Sequence, residues 1–128
     1  MDASAVGKMC TEVERAYLAG LIDGDGCIMA TIERHSEKKF GFRVRLSIKI
    51  TQKEKTLPLF FAKQFGVGRV RVNRKDTVFE TYDWIIYTKK DIATILDLIA
   101  PYVKTKRKQI EIAQRILQES DATKNGLM

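Results

Sequence analysis

Histidine and cysteine are scarce in this sequence: His35 is the only histidine, and Cys10 and Cys27 are the only cysteines. One imidazole leaves little from which to build a His-based metal site, or a Ser-His or Cys-His triad, within one chain. The two cysteines match neither a zinc spacing nor a disulfide framework, and read as reduced structural thiols. Long apolar runs are missing too, and nothing approaches the roughly 20 residues of a membrane span. The first residues, MDASAVGKMCTE, lack the apolar core of a signal peptide and the Arg-rich amphipathic pattern of a transit peptide. The expectation is a protein that works in the compartment where it is made.

What is present suits one folded domain over residues 1–128, with flexible ends at about 1–10 and 120–128. Hydrophobic residues make up 45% and charged residues 30% of the 128, enough for a real core and not a disordered profile. The net charge of +7 is unevenly spread. Residues 1–26 carry two basic and five acidic groups, residues 27–90 fifteen and six, and residues 91–128 six and five. The excess lies in the middle of the chain, where a polyanion partner or a solvated basic face would each account for it.

Periodicity separates these readings. Thr11–Glu14 has the form of a capping box, and an almost wholly apolar helix follows to about Asp23, where Gly24 and Gly26 stop it. Gly20 and Gly24 lie four apart on one edge of that helix, a spacing that allows close backbone approach. CIMATIERH then alternates as a strand, with Ile28, Ala30 and Ile32 opposite Met29, Thr31 and Glu33. After a polar SEKK turn comes FRVRLSIKIT, with Phe42, Val44, Leu46, Ile48 and Ile50 on one face and Arg43, Arg45, Ser47 and Lys49 on the other.

A short helix with Pro58 in its first turn precedes a strand at Arg69–Asn73, an RKDT turn, and a strand through VFETYDWIIYT. Thr88–Asp91 resembles a second capping box, before a helix that ends near Pro101. A last helix spans about Lys106–Glu119, burying Ile110, Ala113, Ile116 and Leu117, and the tail beyond it lacks periodicity. Hairpin pairs separated by helices predict an α+β domain, with helices covering one face of an antiparallel sheet.

The other face would then gather Thr31, Glu33, Arg43, Arg45, Lys49, Arg69, Arg71 and Asn73 from at least three strands. Solvated strand faces commonly use Lys and Glu. An Arg-rich face with few acids suits nucleic acid instead, since Arg pairs with guanine edges, Asn reads adenine and Lys neutralises phosphate. Tyr82, Trp84 and Tyr87 read as core or sheet packing, and His35 as a strand-end residue touching DNA or solvent.

The apolar first helix poses a separate problem, because Asp23 and Asp25 sit at its C-terminus, where the macrodipole disfavours acids by about 0.3–1 kcal/mol each. A cation is one compensation; for Asp23, bracing a neighbouring turn is another. The nonamer LAGLIDGDG at Leu18–Gly26 resembles the signature of the LAGLIDADG homing endonucleases, differing only by glycine for alanine at Gly24. The αββαββα order is similar to the family's core, an antiparallel saddle. Thr51–Lys53 (TQK), Gly66–Gly68 (GVG) and Lys104–Gln109 (KTKRKQ) recur in similar places, and the resemblance covers roughly residues 11–119.

That resemblance implies a sequence-specific, intron-encoded DNA endonuclease that cuts across the minor groove and leaves 3′ overhangs. It implies that Asp25 and the Gly24 carbonyl hold Mg²⁺ or another divalent ion such as Mn²⁺. Gln52 would order active-site water, and Lys106 would assist at the scissile phosphate. A third basic position falls at Lys55 or Thr56, where this sequence departs from the family. Thr31, Glu33, Arg43, Arg45, Ser47, Lys49, Arg69, Arg71, Asn73, Lys104 and Lys108 would contact double-stranded DNA.

One motif per chain resembles the homodimeric branch, with Leu18, Ala19, Gly20, Ile22, Asp23 and Gly24 at the interface and a long pseudo-palindromic target. No membrane and no protein partner is expected, and an organellar (mitochondrion or chloroplast) or microbial setting is implied. Relatives of this fold also act as RNA splicing maturases or as non-cleaving DNA-binding regulators. A small basic interaction module would explain the charge but not the acid-tipped helix.

Overall fold

A computed structural model of the chain describes residues 11–34 and 42–126. Cys10, His35 and the SEKK turn lie outside the described residues, as do the side chains of Glu33, Phe42 and Arg43. The elements run α1 (Glu12–Asp25), β1 (Gly26–Arg34), β2 (Phe42–Gln52), α2 (Thr56–Phe65), β3 (Arg69–Asn73), β4 (Thr81–Ile86), α3 (Lys89–Ile99) and α4 (Arg107–Gly126). The strands form one antiparallel sheet in the order β1-β2-β4-β3. The expected α+β architecture, element order and one-sided helical cover are all present. No described helix is long and apolar enough to cross a membrane.

Local chemistry accounts for the element ends. Thr11 and Glu14 form the full reciprocal capping box of α1. At α3 only the forward half forms, Thr88 accepting from the Asp91 backbone N–H. Gly66, at φ 69°, closes α2 in the left-handed conformation that glycine tolerates best.

Alternation then sorts the sheet. Leu46, Ile48 and Ile50 of β2 and Trp84 and Ile86 of β4 are buried against Leu18, Ala19 and Ile22 of α1, Phe61 and Phe65 of α2, and the apolar sides of α3 and α4. Each of these Leu, Ile and Phe side chains, once buried, contributes about 1.5–3 kcal/mol of hydrophobic stabilisation. Trp84 centres this core. Its ring stacks on Phe61 at 5.4 Å, and its indole N–H donates to the Val67 carbonyl at 2.9 Å.

Two boundaries differ from expectation. β4 begins at Thr81 rather than Val78, because residues 74–80 form a hairpin loop with Arg74 and Asp76 at positive φ (53° and 64°). The Glu80 carboxylate folds back there to accept from the Asp76 backbone N–H at 2.9 Å. α4 continues to Gly126 rather than ending at Glu119. Propagating a nucleated helix needs one hydrogen bond per residue and no apolar period.

Candidate catalytic centre and nucleic-acid interface

The two acids at the end of α1 have different surroundings. Asp23 accepts the backbone N–H of Lys104 at 2.7 Å and that of Lys106 at 2.9 Å, and the Lys106 ammonium donates to the Asp23 carbonyl at 2.8 Å. Burial pushes the Asp23 carboxyl up. The backbone N–H groups of Lys104, Lys106 and Thr105 and the Lys106 charge outweigh that and hold it below its ordinary 3.8. Asp23 therefore braces the approach to α4, and the compensation for the dipole comes from within the chain.

Asp25 is exposed, and the Gln52 amide donates to its Oδ2 at 3.4 Å. Asp25, Gln52 and Lys106 thus meet around the C-terminus of α1, with Gly24 exposed beside them. Lys55 stands just before α2, where its charge helps lower the Glu80 carboxyl in the β3–β4 loop behind the larger effect of the Tyr82 hydroxyl.

The same helix has an open side. Val13 (77% exposed), Tyr17 (54%), Gly20 and Gly24 recur along one stripe of α1, and a Cβ added at Gly20 or Gly24 would meet nothing within 4 Å. The interface expected on this helix needs correcting accordingly. Leu18, Ala19 and Ile22 are 0% exposed and belong to the chain's own core, and Asp23 is engaged with the Lys104–Lys106 turn. Between Ala16 and Ile22 the sequence carries no charged residue to mark the outward side, so helical phase alone could not choose it. Of the expected interface positions, Gly20 and Gly24 remain available.

On the helix-free face, register sets the expected DNA-contacting residues side by side. Thr31 pairs with Arg45, Met29 with Ser47, Cys27 with Lys49, and Glu33 with Arg43. Lys49 continues to Ile85 and then Arg69, and Thr51 continues to Asp83 and then Arg71. Lys104 and Lys108 are exposed at the start of α4.

Asp83 is a buried acid on this face that sequence reasoning missed. It is 1% exposed, yet it lies on this basic face and accepts from Arg71 Nη2 at 2.9 Å, Asn73 Nδ2 at 2.7 Å and the Thr51 hydroxyl. Burial raises its carboxyl, and the bonds from Asn73, Thr51 and Arg71, with the Lys49 charge, bring it below the ordinary value. The signal was present: an acid at the polar phase of a strand whose other phase is Tyr82, Trp84 and Ile86. Tyr87 also departs from the packing role expected of it. It stands 48% exposed on this face, with the Arg69 guanidinium 5.5 Å from its ring centroid.

The model of the LAGLIDADG endonuclease family matches residues 18–115. DNA endonuclease I-CreI of Chlamydomonas reinhardtii is 30% identical over 112 residues, 86% of this chain and 66% of the relative. DNA endonuclease I-CvuI of Chlorella vulgaris is 29% identical over 116 residues, 89% of this chain and 70% of the relative. The chain thus spans about two-thirds of the length of the curated relatives it matches. The crystal structure of I-CvuI in complex with the I-CreI target, with 2 mM Mg and the DNA not cleaved, is similar at TM-score 0.77 and 28% identity, covering 89% of this chain and 71% of that one. I-CvuI with its own target in 2 mM Ca gives TM-score 0.75 at 29% identity and the same coverage. The match to the family model runs through the motif helix, the sheet and the Lys104–Lys108 turn, and the chain belongs to the LAGLIDADG endonuclease family.

Proposed function

We infer that this chain is a sequence-specific, divalent-metal-dependent DNA endonuclease that works as a homodimer on a long pseudo-palindromic duplex and leaves 3′ overhangs. The observation that carries the reading is the exposed Asp25 at the tip of a helix whose adjoining stripe, Gly20 and Gly24, is open to a second backbone. An isologous pairing through that stripe brings two Asp25 carboxylates together. The relatives' crystals with target DNA in Mg or Ca support a duplex partner and a divalent ion.

The donors present fit a hard divalent ion only in part within one chain. Among the described residues no cluster of three or more His, Cys, Asp or Glu could hold a metal. Mg²⁺, however, commonly takes one or two carboxylates and completes its shell with water and phosphate oxygens. Asp25 and the Gly24 carbonyl, doubled across a dimer and joined by DNA phosphates, meet that need. When bound, such an ion lowers the pKa of a water and stabilises the leaving 3′ oxygen.

The chain's own residues do the rest. Gln52, within reach of Asp25, orients the carboxylate and a neighbouring water. Lys106, held to the Asp23 carbonyl, adds positive charge beside the scissile phosphate. Arg45, Lys49, Arg69, Arg71 and Asn73 align the duplex on the sheet.

The test is cleavage of a randomised duplex library by the purified chain in Mg²⁺, with parallel reactions in Ca²⁺ and with Asp25→Asn. Discrete pseudo-palindromic cuts, lost in both controls while binding persists, are expected. Selective retention without cutting would replace this reading with the regulator or maturase one.

A further inference from the structure

The two arginines of β3 are held by β4 in different ways. Arg71 commits an N–H to the Asp83 carboxylate at 2.9 Å. Arg69, one row along, instead meets the Tyr87 ring, 5.5 Å from the guanidinium carbon to the ring centroid. A cation–π contact is electrostatic and uses no N–H···O bond, which leaves the guanidinium's N–H donors available to a third group. The ring restrains the long side chain without neutralising it.

The surroundings suit reading of a base. Arg69 pairs across the sheet with Ile85, which pairs with Lys49, so a cation and an apolar side chain flank the site on the helix-free face. Tyr87 continues the phase of Asp83 and Ile85 beyond the end of β4, and both it and Arg69 are exposed on that face. The commonest specific arginine contact in the major groove is bidentate, to O6 and N7 of guanine.

We propose that Arg69 and Tyr87 form one base-reading unit, in which Tyr87 is a specificity-determining positioning residue that presents Arg69 to a guanine in each half-site. The proposal rests on the DNA-endonuclease reading above and adds the base and the residue that sets its recognition.

The experiment is selection of bound duplexes from a library of randomised half-sites, in Ca²⁺, for the unmodified chain and for Arg69→Ala, Tyr87→Ala and Tyr87→Phe, with the salt dependence of binding measured for each. The unmodified chain should prefer guanine at one position that Arg69→Ala relaxes by on the order of tenfold. Tyr87→Ala should relax the same position by about two- to fivefold, the range of an exposed cation–π contact. Tyr87→Phe, which keeps the ring, should restore the preference.

If the chain selects sites but no variant changes any base preference, the pairing proposal is overturned and the endonuclease reading stands. The pairing is equally overturned if Arg69→Ala weakens all sequences alike and lowers the salt slope by about 1, the signature of a phosphate contact. If Tyr87→Phe fails to restore the preference, the ring is not the positioning element and the proposal also falls. A chain that binds no duplex selectively overturns both readings.

Discussion

Asp23 and Lys106 are joined in both directions: the Asp23 carboxylate accepts the Lys106 backbone N–H at 2.9 Å, and the Lys106 ammonium donates to the Asp23 carbonyl at 2.8 Å. Residues 83 positions apart are thereby locked, and the end of α1 is tied to the start of α4. The first acid of the motif thus serves architecture, and the second is left facing solvent.

Asp23→Ala should destabilise the fold by about 1–2 kcal/mol, the loss of a capping carboxylate that satisfies two backbone donors. Urea denaturation at neutral pH measures it. Cleavage should fall as well, because the Lys106 backbone loses its anchor.

Acid should act through the same groups. The Asp23 and Asp83 carboxyls are both lowered in the folded state, so their stabilisation is complete above the ordinary carboxylate value of 3.8. It is lost as pH falls through the folded values. Urea midpoints followed from about pH 6 to about pH 2 should drop on the acid side, and less steeply in Asp23→Asn.

Removing Asp83 should separate affinity from selectivity. Asp83→Ala leaves Arg71 and Asn73 without their carboxylate and should cost about 1–3 kcal/mol of stability. It should also steepen the salt dependence of DNA binding by about one unit of slope, as a neutralised arginine becomes free for phosphate. Affinity for unrelated duplexes, measured across a salt series, should rise.

Gly20→Leu tests the open stripe. The helix has room for the side chain within one protomer, so secondary structure by circular dichroism should be retained. Sedimentation should show the monomer, and cutting should be lost while single-chain folding persists. A dimeric, active Gly20→Leu protein would overturn the proposed pairing through α1.

Gly68→Ala should be poorly tolerated. Gly68 has φ 76°, and an added Cβ would stand 2.7 Å from the Ile85 carbonyl oxygen and the Trp84 indole nitrogen. The left-handed backbone alone costs about 1–2 kcal/mol for a residue with a Cβ. Fluorescence of the sole tryptophan and a thermal melt should both report the loss.

Much of this was legible in the sequence because its signals were local. The α1 capping box needed only Thr11 and Glu14, and strict alternation located β3 and the two faces of β2. What stayed hidden depended on distant partners. Asp23 could be suspected of bracing a turn, but the Lys104–Lys106 backbone that it holds lies far along the chain. The Asp83 network needed the β2-β4-β3 strand order, which brings Thr51, Asp83 and Arg71 into one row. The outward side of α1 was set by what the sheet covers, and the β4 boundary by Glu80 turning back on Asp76.

The division of labour between Asp23 and Asp25 also bears on kinetics. With one acid committed to its own fold, each chain would bring a single exposed motif carboxylate to the proposed dimeric centre. If the chain pairs as proposed, then far below that pair's dissociation constant the concentration of complete centres, and with it the initial rate of cutting, should vary with the square of total protein. Dilution would then restrain cutting without any inhibitor.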